Sequence, residues 1–126
     1  MATLEEVTRI AWSERAERVL SPAFHYSDEL QQIAAEVKRD SATLWEVNQG
    51  QSYFVTRIED QELVIVAVAG SDMKQLLRDI YIKAWNVGFS SIRFHTRDAA
   101  VLRYLREFSP EPVEYVMRIF PHGRKQ

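Results

Sequence analysis

The 126-residue chain contains no cysteine, which excludes a disulfide scaffold, a thiolate metal site and a cysteine nucleophile. It is also poor in backbone punctuation, with four glycines and four prolines. No Gly-x-Ser-x-Gly elbow, P-loop, dinucleotide fingerprint, internal repeat or low-complexity stretch is present. Long apolar runs are missing too: the longest, Leu63 to Ala69, is too short to cross a bilayer. The start, Met1-Ala-Thr-Leu-Glu-Glu, carries neither a basic nor an apolar leader region, so the expectation is a cytoplasmic protein without membrane contact. The histidines His25, His95 and His122 lack metal-ligand spacing, and no metal is expected.

What is present is an ordinary globular composition, 46% apolar and 27% charged. A chain of this length buries roughly two-thirds of its unfolded surface, enough for a core without staples. The expected organisation is one domain over residues 1–120 and a flexible tail over 121–126. Charge is uneven along it. Residues 1–70 hold six basic and twelve acidic side chains, whereas residues 71–126 hold ten and six. The C-terminal half is thus suited to an anionic small molecule, but its cations are scattered among apolar residues, and no nucleic-acid partner is expected.

Thr3-Leu4-Glu5-Glu6 matches a capping box and predicts a first helix from Leu4 to Leu20, with Val7, Ile10 and Ala11 on its early stripe and Ser21-Pro22 ending it. Ser27 or Asp28 caps a second, in which Leu30, Ile33, Ala34 and Val37 share one face. The period then changes to two. Thr43 to Val47 and Ser52 to Ile58 read as strands around the turn 48–51, and Glu62 to Ala69, apolar on both faces, as the central strand of the sheet. A long helix follows, with Asp72 as its cap, Gln75 at the third position, Met73, Leu76, Leu77, Ile80, Tyr81 and Ala84 on one stripe, and Gly88 as its left-handed stop. Ser90 to His95 is a short strand, Asp98 caps a helix to Phe108, and Val113 to Phe120 is a last strand with an edge able to pair with a second copy. Trp12, Trp45 and Trp85 read as packing residues.

The expected order is α-α-β-β-β-α-β-α-β, an α/β (α+β) domain with a mixed, mostly antiparallel sheet and helices on both faces. The strand-helix-strand unit must close right-handedly, and ligands of such sheets gather at the C-terminal end of the strand before the helix, here Val66, Val68 and Gly70.

This succession, together with the stretch Ala84-Trp-Asn-Val-Gly-Phe-Ser-Ser-Ile-Arg-Phe-His-Thr-Arg-Asp-Ala-Ala-Val-Leu-Arg-Tyr-Leu-Arg-Glu-Phe108, resembles the GCN5-related N-acetyltransferase (GNAT) fold, with its first strand missing or very short. The texture is also similar to small GNAT-like proteins among phage and prophage genes. The resemblance implies acetyl coenzyme A (acetyl-CoA) as cofactor, held by strand backbone between Val66 and Gly70 and by the turn from Ser71 to Lys74. It also implies a Gln or Arg at Val68 and glycines at Ser71 and Met73, none of which this sequence has. A carboxylate at Asp72 would moreover take the helix end that a pyrophosphate needs.

For chemistry, the resemblance implies a tyrosine acid on the later helix, for which Tyr104 is the candidate, although Arg103 fits the slot and Tyr104 then lies about 100° around the helix. His95, at the strand end on the face of Arg93, is a candidate base, and Glu46, Glu59 and Glu62 flank the meander. Two readings follow: a non-catalytic binding or accessory protein with a protein partner or as a homodimer, and a divergent enzyme moving an acetyl group from acetyl-CoA to an amine.

Overall fold

The structure is a computed structural model, described over residues 7–24, 27–95 and 99–112. Five strands form one sheet in sequence order: β1 (Val7–Ile10), β2 (Thr43–Val47), β3 (Ser52–Glu59), β4 (Glu62–Gly70) and β5 (Ser91–Phe94). The first four are antiparallel to their neighbours, and β5 lies parallel to β4. The helices are α1 (Glu14–Leu20), α2 (Ser27–Lys38), α3 (Met73–Val87) and α4 (Ala99–Leu105). The mixed α+β architecture expected from the sequence is therefore present.

The helix pair α1–α2 covers one face. There Ala16, Leu20, Ile33 and Val37 pack on Leu44, Tyr53, Val55, Val64 and Val66. On the other face, Leu76, Leu77 and Ile80 of α3 and Val101 and Leu105 of α4 pack on Val47, Phe54, Ile65 and Val68. Each large side chain so enclosed stabilises the fold by about 1.5–3 kcal/mol. Because both faces of β4 are covered, its residues from Val64 to Val68 are all buried, as the unbroken apolar run predicts.

The expectation of one helix running through residues 7–10 to Leu20 is overturned. Val7–Ile10 is strand β1, pairing Val7 with Val47 and Ile10 with Leu44. The residues mislead because Val7 and Ile10, three apart, look out on opposite faces of a strand; Val7 packs on the α3 side and Ile10 on the α1 side. A short strand with one partly buried residue on each face thus imitates a helical stripe. The helix starts after Ser13, whose hydroxyl accepts the Ala16 amide at 3.1 Å. The order over the described residues is β-α-α-β-β-β-α-β-α. The capping box at Thr3–Glu6, His25, Asp98, the strand expected over 113–120 with its pairing edge, the tail 121–126 and His122 lie outside the described residues.

The expectations for the α2 face and the end of α3 hold. Helix α2 buries Leu30, Ile33, Ala34 and Val37, and α3 stops at Gly88, where φ is 110° and the Gly88 and Phe89 amides both donate to the Ala84 carbonyl at 3.1 Å. Trp12 and Trp45 are packing residues, but Trp85 is 44% exposed and meets Tyr81 edge-on.

Candidate functional site

The sheet is not uniformly paired. Strand β5 accompanies β4 only from Glu62 to Ile65, ending with the His95 amide donating to the Ile65 carbonyl at 3.0 Å. Beyond it, β4 runs on through Val66 to Gly70 with β3 as its only partner among the described residues. The parting coincides with a bulge: Val55 pairs with Ala67 and Thr56 with Ile65, so Val66 is the extra residue. The bulge sends Val66 and Ala67, though consecutive, to the same α1–α2 face. The side chains of Val66 and Val68 are buried on opposite faces, so what this stretch offers a ligand is backbone, not side chain.

At the end of β4 the chain enters α3. The first intrahelical bond is Leu76 N–H to Asp72 C=O at 3.0 Å, which leaves the amides of Met73, Lys74 and Gln75 without an intrahelical acceptor. Asp72 does not close this end as expected from the sequence. Its backbone is left-handed, φ 59° and ψ 41°, and its carboxylate makes no capping bond; Gln75 turns instead to Asp79 at 2.9 Å. A capping side chain needs extended backbone at the cap residue, as Ser13 has, and the left-handed turn at Asp72 denies it. The first turn of α3 contains no acidic residue and has Lys74 exposed beside it.

The turn itself is tied to the β2–β3 hairpin. Ser52, 2% exposed, donates its hydroxyl to the Ser71 carbonyl at 2.8 Å, and the Ser71 amide donates to the Gln51 carbonyl at 3.3 Å. Gly70, at φ +135°, packs so closely that a Cβ there would overlap the Ser52 hydroxyl and lie 2.5 Å from the Gln51 carbonyl oxygen. Its glycine is required by β3, a contact no local motif announces. The hairpin is in turn clipped to α1, where the Arg15 guanidinium donates to the Gly50 carbonyl at 2.9 and 3.2 Å.

Tyr104 and His95 are not brought together. Tyr104 is half-buried among the residues of the α3–α4 face. Ile92 and Phe94 of β5 pack on that same face, so alternation puts Arg93 and the exposed His95 on the other. The three glutamates are engaged structurally. Glu46 accepts the Tyr53 hydroxyl at 2.8 Å, Glu59 meets Arg93 at 2.8 Å, and Glu62 accepts from Ser91 at 2.9 Å. Glu59, Arg93 and Glu62, with Arg57 and Glu36 paired at 2.9 Å, make a charged ladder from α2 across β3 and β4 to β5 that the sequence did not reveal, while Glu46 stands apart from it. Among the described residues no group of three or more His, Asp and Glu is placed to hold a metal, and no helix is long and apolar enough to cross a membrane.

No known protein-family model matches the chain, and no curated protein matches it in sequence. Solved structures do. A probable acetyltransferase superposes with a TM-score of 0.56 over 94% of this chain and 99% of its own, at 7% identity. The likeness is one of fold. The wild-type protein TTHA1254 from Thermus thermophilus also aligns, at 13% identity and a TM-score of 0.44 over 94% of this chain and 99% of that one. Neither name speaks to a phage or prophage setting.

Proposed function

We propose that this domain is GNAT-like and binds an acyl-CoA, or a closely similar pyrophosphate-bearing anion, at the junction of β4 and α3, as a binding or accessory protein. The observation that carries the reading is the uncapped N-terminus of the fifteen-residue helix α3, opening at the end of the stretch of β4 that runs on beyond its parting from β5. The amides of Met73, Lys74 and Gln75 and the Lys74 ammonium fit a pyrophosphate, and the β4 backbone from Val66 to Gly70 fits the amide groups of a pantetheine arm. When bound, acetyl-CoA supplies an activated acetyl thioester. Ile65, beside His95, and Gly70 are five residues apart on β4, roughly 17 Å, a separation suited to an extended ligand and not to a compact one.

The second reading, acetyl transfer to an amine, rests on His95, exposed at the end of β5 beside the parting of the strands. There it would take a proton from an ammonium approaching on the α1–α2 face. Tyr104, packed on the opposite face, is no partner for it in that step.

Calorimetric titration with acetyl-CoA, and with pantetheine as the control lacking the pyrophosphate, tests the binding. One-to-one binding is expected, with pantetheine much weaker and Lys74→Glu lowering acetyl-CoA affinity roughly tenfold. No heat and no thermal shift with acetyl-CoA, or affinity indifferent to Lys74→Glu, would sink the site. Thiol release in the presence of amines, abolished in His95→Ala while acetyl-CoA still binds, would establish the second reading.

A further inference from the structure

A cavity of about 510 Å³ lies at the other end of the sheet, between the β1–α1 connection and the α2–β2 loop. Its volume falls in the range of small-molecule sites. It is remote from the β4–α3 junction: Ile10 and Leu44 at this end pair across β1 and β2, while Gly70 pairs with Ser52, which lies opposite Val47 at the far end of β2. We propose that this cavity is a binding site for a small amphiphilic anion, a molecule with an apolar body and one carboxylate or sulfonate.

The apolar part is set by the half-buried Ile10 and Trp12, backed by the buried Val37 and Leu44. The indole of Trp12 is fixed from behind, its N–H donating to Glu17 of α1 at 3.2 Å, so this wall is formed before any ligand arrives. The carbonyls at the end of α2 are already used, Ala35 by Arg39, Glu36 by Ser41 and Ala42, and Val37 by Asp40. The backbone there has little need of a cation.

The sign of the ligand is set by the rim. Arg9 and Lys38 stand against the single carboxylate of Asp40. Arg9 meets Asp40 at 3.6 Å with the two side chains 61% and 81% exposed, a pair that water screens and that a ligand anion can replace at little cost. One cation is thereby left over at the mouth of the cavity.

The test uses the full chain and two dyes of nearly the same body, anilinonaphthalene sulfonate and the uncharged phenylnaphthylamine, followed by fluorescence and accompanied by a thermal melt of each variant. The sulfonate should saturate one-to-one and bind roughly tenfold more tightly than the neutral dye, and the double variant Arg9→Gln with Lys38→Gln should remove that difference. These exposed side chains can be changed without touching the core. Ala11→Trp, which fills the mouth from an exposed position, should abolish binding of both dyes, and Trp85→Ala should leave it unchanged. Absence of saturable binding, equal affinity for the two dyes, an effect of the sulfonate that survives the double charge variant, or loss of binding in Trp85→Ala overturns the proposal.

Discussion

Helices α1 and α3 begin in opposite ways. At α1, Ser13 is extended, its hydroxyl holds the Ala16 amide, and Glu14 and Glu17 place negative charge in the first turn. The surrounding polar groups are settled within the protein as well, Trp12 on Glu17, Arg15 on Gly50 and Tyr53 on Glu46. At α3, Asp72 is left-handed, no side chain caps the amides, and the first turn is without an acid. A positive helix end closed by its own side chains contributes to stability and has nothing left for a ligand. The open end of α3 is instead held from behind, through Ser71 on Ser52 and Gln51, so that its amides are fixed in direction without being used.

The largest effect should come from breaking that mooring. Gly70→Val puts a β-branched side chain at φ +135° and against β3, and should destabilise the protein by at least about 3 kcal/mol, read as a shift in the urea midpoint. It would therefore report on the fold and not on a ligand. Full stability in this variant would show that the turn is not packed on Ser52 and Gln51, and the fixed open end would go with it.

A pair of variants sharpens the comparison directly. Ser13→Ala should cost about 1 kcal/mol, the usual worth of a cap. Asp72→Asn, which keeps a residue tolerant of left-handed backbone, should change stability by less than about 0.5 kcal/mol and should raise acetyl-CoA affinity by removing a negative charge from the ligand's side. Equal losses at the two positions, measured in the same denaturation series, would mean that both ends are capped alike and that the asymmetry is wrong.

Much of this architecture was legible because it is written locally. The buried stripe of α2, the two-faced run of β4 and the glycine stop of α3 each follow from spacing that one element carries by itself. What was illegible depends on partners distant in the chain. Val7 and Ile10 imitate a helix until β2 is known to lie beside them, and Asp72 reads as a cap until Gly70, packed against Ser52 and Gln51, and Asp72 itself are found at positive φ. The site suffers most from this. Val66, Val68, Gly70, Ser71 and Lys74 do cluster along the end of β4 and the start of α3, but their meaning rests on where β5 stops. Tyr104 and His95, the separate acid and base candidates of the sequence, are parted by the sheet, because strand alternation and helix packing assign them to different faces.

The smallest expected effect tests the claim that the α1 side is settled internally. Tyr53 is fully buried, and its hydroxyl is pushed above the ordinary tyrosine value first by burial and then by its bond to, and the charge of, Glu46, with Arg15 opposing. A pKa raised in the folded state means that the neutral phenol is favoured there. Its stabilising contribution is complete below the unfolded value, near 10, and is lost as pH rises through the higher folded value. Urea midpoints taken from neutral pH to about pH 11 should fall more steeply for the native chain than for Tyr53→Phe, which has no proton to lose at this position. Parallel curves would place the Tyr53 hydroxyl in water, and the hairpin that Arg15 clips would then be looser than its bonds imply.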